Sequence, residues 1–139
     1  MAFAIDPDTS KTLKPEKVKN LAFVGFYGMK DALRSEAVSA LEKAMSAGIR
    51  VVMVTGDHKV TAEAIARDAG SYREGDIVLT GQDIDALSEK NLSEKLGLVS
   101  IFARVTPEHK LRIIKAYKAR GEIVAMTGDG VNDAPSLVA

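Results

Sequence analysis

Short runs of β-branched and apolar residues alternate along this chain with amphipathic stretches, and that alternation narrows the possible folds more than any other feature. Leu21 to Tyr27, Ile49 to Val54, Val99 to Ala103 and Ile123 to Met126 are short and almost uniformly apolar, and read as strands. Ser35 to Ala47 reads as a helix: Ser35 is the expected cap, Glu36 lies in the first turn, Val38, Leu41 and Met45 share one face, and Gly48 stops it. Val60 to Ala69 is a second expected helix, ended by Gly70. Thr106 followed by Pro107 opens a third, which carries Leu111, Ile114 and Tyr117 towards a core until Gly121. Strands separated by helices of about 10 to 15 residues imply right-handed crossovers and a mainly parallel sheet with helices on both faces, an α/β three-layer sandwich. Residues 71–98 break the rhythm and are expected to form a loop with one or two short helices. The first 20 residues, with Pro7 and Pro15, read as an irregular lead-in after a brief apolar start.

Composition excludes several functions. With 139 residues, 46% hydrophobic and 27% charged, there is room for one compact domain with a core. Lys plus Arg and Asp plus Glu are both 19, so net charge gives no attraction to nucleic acid or to an anionic membrane surface. A charged ligand must therefore be recognised locally. The absence of cysteine excludes disulfides, thiolate metal sites and a cysteine nucleophile. No apolar run approaches the roughly 18 to 20 residues of a membrane span, and the chain reads as soluble.

In an open parallel sheet, ligands sit beyond the carboxyl ends of the strands. Thr55-Gly56-Asp57 and Thr127-Gly128-Asp129 both follow apolar runs, so the two ends are expected to meet at one site. Thr55 offers a hydroxyl and Gly56 permits close backbone approach, a pairing suited to phosphoryl oxygens near a helix N-terminus. Asp129 and Asp133 supply hard oxygen ligands across a Gly-rich turn, as Mg²⁺ prefers, with Asn132 able to orient them. Lys110 would bring positive charge to phosphoryl transfer. Taken singly, each Thr-Gly-Asp triplet is also an ordinary turn and helix cap, and Lys110 a solvated lysine. Gly128-Asp129-Gly130-Val131-Asn132-Asp133-Ala134-Pro135 is far more specific. His58 and His109 read as surface histidines, and Glu89 to Lys95 as a solvated helix face.

Met29-Lys30-Asp31-Ala32-Leu33-Arg34, Val54-Thr55-Gly56-Asp57, Phe102 to Lys110 and Met126 to Pro135 resemble, in order and spacing, the phosphorylation domain of P-type cation-transporting ATPases, in the haloacid dehalogenase superfamily. The wording Phe-Ala-Arg-Val and Pro-Glu-His-Lys looks most like the calcium pumps. The resemblance implies a haloacid-dehalogenase-like, Rossmann-like sheet, incomplete here, with residues 1–28 ending a nucleotide-binding domain and 29–139 forming a partial phosphorylation domain. It implies Thr55 and Gly56 as the phosphate motif, Lys110 as the phosphate-neutralising lysine, Asp129 and Asp133 as Mg²⁺ ligands and Asn132 beside the phosphoryl group. Asp31, Arg34, Asp57 and Arg104 would lie near the nucleotide, ATP, or at the hinge. It further implies a cytoplasmic-side piece of an integral membrane pump, working with that pump's missing domains.

Departures from the family pattern shape these expectations. The Asp-Lys-Thr-Gly-Thr string that carries the phosphorylated aspartate is absent, so the isolated chain is expected to be inactive. Ala32 and Leu33 replace the two prolines of the hinge, while both charged ends, Asp31 and Arg34, are kept. The chain therefore reads as an excised piece, with an unpaired sheet edge that favours a homodimer. Two other readings stand beside it. Ala2 to Ser10 mimics the strand plus Asp-x-Asp of stand-alone phosphatases, with Asp6 as nucleophile and Asp8 as acid and base. A non-catalytic regulator that binds phosphate or nucleotide at the same site is the other.

Overall fold

The computed structural model describes residues 1–5, 21–28 and 32–128. The chain divides into two compact units, Met1–Ala32 and Leu33–Ala139. In the first, β1 (Ala2–Ile5) pairs antiparallel with β2 (Ala22–Phe26), and the register shifts between Phe3 and Ala4. The brief apolar start is thus a strand, and the rest of the lead-in, residues 6–20, lies outside the described residues. Phe3 meets Tyr27 edge-on with ring centroids 6.2 Å apart, and Phe23 meets Phe26 at 5.1 Å. Edge-on ring pairs of this kind add to the little apolar burial that two strands provide.

The second unit runs α1 (Ser35–Ser46), β3 (Met53–Val54), α2 (Lys59–Asp68), β4 (Ile77–Thr80), α3 (Gly81–Ala86), α4 (Glu89–Leu96), β5 (Val99–Ala103) and α5 (Pro107–Ala119). Its three strands are parallel in the order β3-β5-β4. β5, last in sequence, is central. Its side chains alternate between two cores: Ile101 and Ala103 meet Ala62 and Ala66 of α2, while Phe102 packs with Leu79, Ile84, Leu92, Leu96, Ile113 and Tyr117. Helices thus cover both faces, α2 on one and α3, α4 and α5 on the other. Ala62 and Ala66, four residues apart on one face, are small enough to let α2 approach the sheet closely. No helix among the described residues is long and apolar enough to cross a membrane.

Four local expectations are corrected. Ser35 is the first residue of α1 and not its cap; Arg34 holds the cap position, and no side-chain cap bond forms there. The strand expected over Ile49 to Val54 shrinks to Met53–Val54, with Ile49 and Arg50 exposed. Among the described residues β3 has β5 as its one neighbour to extend its ladder, and the Arg50 guanidinium donates to the Val99 carbonyl at 2.7 Å just beyond it. Ile123 to Met126 forms no strand: Ile123 is fully exposed, Val124 rests against the core, and no neighbouring strand offers a ladder among the described residues. Strand propensity is realised through cross-strand partners rather than by the backbone alone. Residues 71–98, expected as loop and short helices, do contain α3 and α4, but also β4, whose four residues gain their order from β5.

Candidate functional site

The carboxyl ends of the three parallel strands form one rim, and the loops that leave them are tied to one another. Thr55 follows β3 and extends its pairing by donating its N–H to the Phe102 carbonyl at 2.9 Å. The chain then turns through Gly56. The Thr55 hydroxyl donates to Asp57 Oδ2 at 3.0 Å and accepts the Asp57 N–H at 3.1 Å, a local side-chain turn. Two backbone bonds join this turn to the loop after β5: Arg104 N–H to the Asp57 carbonyl at 3.0 Å, and Val105 N–H to the Thr55 carbonyl at 3.2 Å. To make them, Arg104 adopts φ 53°, a left-handed conformation that is uncommon outside glycine.

Thr106 then starts α5 with a capping box. Its hydroxyl accepts the His109 N–H at 3.4 Å, and His109 Nδ1 accepts the Thr106 N–H at 3.0 Å. Pro107 stands in the first turn, where its missing N–H costs nothing. Lys110 lies one residue beyond the box, half-buried, with its N–H bonded to the Thr106 carbonyl at 3.1 Å.

The third strand end matches this pattern. Thr80 caps α3, its N–H and hydroxyl both donating to Asp83 Oδ2 at 2.7 Å. The Thr80 hydroxyl and amide hold the Asp83 carboxyl below the usual carboxylate range, with the Lys59 ammonium assisting. Gly81 sits against the β5–α5 loop: a Cβ there would stand 2.6 Å from the Arg104 carbonyl oxygen and 2.8 Å from His109 Cε1.

Thr55, Gly56, Asp57 and Arg104 are therefore brought together, with Lys110 in the adjoining helical turn. Among the described residues nothing stands within 4 Å of where a side chain on Gly56 would begin. Arg34 precedes α1, where its carbonyl accepts the Ala37 N–H, and takes no part in the bonds that tie the rim. Asp31, Asp129, Asn132 and Asp133 lie outside the described residues, as do Asp6 and Asp8. Among the described residues no three His, Cys, Asp or Glu side chains gather into a metal site. An open groove of about 400 Å³ between α1 and the end of α2, lined by Leu41, Met45, Arg67 and Arg73, shares no residue with the rim.

Two roles were not foreseen from sequence. His109, expected as a surface histidine, has a side chain only 15% exposed and bonds Asp85 Oδ1 through Nε2 at 2.9 Å. Its partner is 24 residues away, so no local pattern announces the pair. The Thr80–Asp83 box does carry a signal, a threonine three residues before an acid. The Glu89 to Lys95 stretch is α4, whose Leu92 and Leu96 are buried and whose Glu89 binds Arg112 Nε at 2.6 Å.

Residues 3–139 match the family model described as haloacid dehalogenase-like hydrolase. The chain is 49% identical over 131 residues to a calcium-transporting ATPase of Listeria monocytogenes, covering 94% of this chain and 15% of that protein. It is 48% identical over 132 residues to calcium-transporting ATPase 1 of Lactococcus lactis, covering 95% and 15%. With calcium-transporting ATPase 1 of Saccharomyces cerevisiae, identity is 43% over 132 residues, covering 94% and 14%. The chain thus spans about one seventh of the length of these relatives.

Proposed function

Because this chain belongs to the haloacid dehalogenase-like hydrolases, we propose that it is part of the phosphorylation domain of a P-type, calcium-transporting ATPase, with the sheet rim as its phosphoryl site. The observation that carries this reading is the tie between the Thr55–Asp57 turn and the Arg104–Val105 loop, with Lys110 one turn further on. A phosphoryl group at that rim meets the open backbone of Gly56, the Thr55 hydroxyl and the Lys110 ammonium. The Thr55 hydroxyl donates to Asp57 in this structure, so a phosphoryl oxygen at the rim takes that hydrogen bond in place of the Asp57 carboxylate. Lys110 opposes the charge spread over the equatorial oxygens of the transferring group. Asp129 and Asp133 are the residues to hold Mg²⁺, with Asn132 orienting them, and the ion would supply positive charge against the phosphoryl oxygens.

The remaining assignments follow the same parent. The nucleophilic aspartate comes from an Asp-Lys-Thr-Gly-Thr string that this sequence does not contain, and attacks the γ-phosphoryl of ATP as ADP leaves. Asp31, Arg34, Asp57 and Arg104 serve the nucleotide or the hinge, the domain boundary falls at residues 28 and 29, and the chain lies on the cytoplasmic side of its pump. By itself the chain turns nothing over. The stand-alone phosphatase reading needs the strand before Asp6 in the parallel sheet, whereas β1 pairs antiparallel with β2 in a two-stranded sheet, which favours the pump reading. In the full-length parent, Lys110→Ala and Asp129→Asn should each lower phosphoenzyme formation from ATP by about a hundredfold or more. Normal phosphoenzyme levels in either variant would remove the role assigned to that residue.

A further inference from the structure

We propose that His109 is a positioning residue, which in its neutral form, with the proton on Nε2, locks the first turn of α5 against α3 and so sets where the Lys110 ammonium enters the phosphoryl site. The inference rests on the reading of Lys110 given above.

The tautomer follows from the donors around the ring. The Thr106 backbone N–H can only donate, and it points at Nδ1 from 3.0 Å, so Nδ1 carries a lone pair. The proton is then on Nε2, 2.9 Å from Asp85 Oδ1. The ring thus bridges the α5 cap on one side and α3 on the other. The Gly81 face closes it in, since even a methyl group there would stand 2.8 Å from Cε1.

α3 is itself a firm anchor. Ile84 is fully buried, Arg112 donates to the Ile84 and Leu87 carbonyls at 2.6 Å each, and β4 feeds α3 directly from the sheet. The Arg112 bonds hold the body of α5 but lie more than a turn below its start. His109 is the contact from the first turn itself, and Lys110 is the next residue.

A glutamate at the same position separates this role from simple capping. Glutamate is the usual third residue of a capping box and would accept the Thr106 N–H as well as histidine does, but its carboxylate would face Asp85 with like charge. Glutamine keeps an acceptor for Thr106 and a donor for Asp85. The experiment titrates the chain with inorganic phosphate in the presence of Mg²⁺ and records thermal unfolding in parallel. His109→Gln should bind like the unchanged chain, while His109→Glu and Asp85→Ala should bind on the order of tenfold more weakly while remaining folded. Long-range ¹⁵N–¹H spectra should show the Nε2–H tautomer.

Unaltered phosphate affinity in His109→Glu would reduce His109 to a cap and overturn the proposal, as would a proton found on Nδ1. If the unchanged chain binds no phosphate, the reading of Lys110 fails instead. Positioning is then decided by the Lys110 ¹³Cε resonance, which should move in His109→Glu and Asp85→Ala and stay in His109→Gln; an unmoved resonance in the first two overturns it.

Discussion

Arg104 and Gly81 meet at one point of the rim, and they place opposite demands on the backbone. Arg104 takes φ 53° so that its N–H can reach the Asp57 carbonyl, a conformation costing a side-chain-bearing residue about 1–2 kcal/mol. Gly81, whose φ is ordinary, is required by space instead. Arg104→Gly should therefore leave stability to urea within about 1 kcal/mol of the parent, relief of strain offsetting the freedom glycine adds to the unfolded chain. Arg104→Val should lose on the order of 1–2 kcal/mol, because a β-branched residue tolerates positive φ worst. Gly81→Ala should cost about 1–3 kcal/mol, since its methyl would collide with a backbone carbonyl that cannot swing aside. Equal midpoints for all three would show that the rim is looser than its contacts indicate. Thr106 and Pro107 were readable in the sequence because a cap is written within four residues. Neither the left-handed Arg104 nor the His109–Asp85 pair was, since both are set by chain that arrives from another strand.

At the level of elements, β5 was legible to the residue because it is buried on both faces, and a run that is apolar but for Ser100 suits such a strand. The edge strands were legible less well. β3 was expected too long and β4 was missed, for one reason: an edge strand lasts only as far as its single neighbour pairs with it, which is not written in its own residues. α5 was read correctly in extent, from its cap to Gly121, though Leu111, expected to face the core, is only half-buried while Ile113 and Ala116 join Ile114 and Tyr117 inside; Tyr117 supplies a pH test. Burial pushes the Tyr117 phenol pKa up from 10.0, and its hydroxyl donates to the Leu96 carbonyl at 3.3 Å. The folded chain holds this proton more tightly than the unfolded one. Its contribution is thus complete below the unfolded value and is lost as pH rises through the higher folded value. Urea midpoints measured from pH 8 upwards should fall at the alkaline end, and Tyr117→Phe should flatten that fall while losing roughly 1 kcal/mol at neutral pH. A variant with the same alkaline slope would place the linked proton elsewhere.

For the whole molecule, the outer side of β3 is the feature with the largest consequence for behaviour in solution. β3 pairs with β5 on one side, and among the described residues no strand meets its other side. Exposed edges recruit strands, so this chain should form dimers as its concentration rises, and a proline at Val52 or Val54 should weaken them. Sedimentation that stays monomeric into the millimolar range would exclude that edge as an interface. The order of the strands also governs how such a sheet can be made. Of the three described strands the central one is translated last, so β3 and β4 lack their described neighbour until residue 103 has emerged from the ribosome. The sheet then cannot grow strand by strand as synthesis proceeds. It closes in one late step, and any arrest of translation before β5 leaves two orphan strands open to the wrong partner.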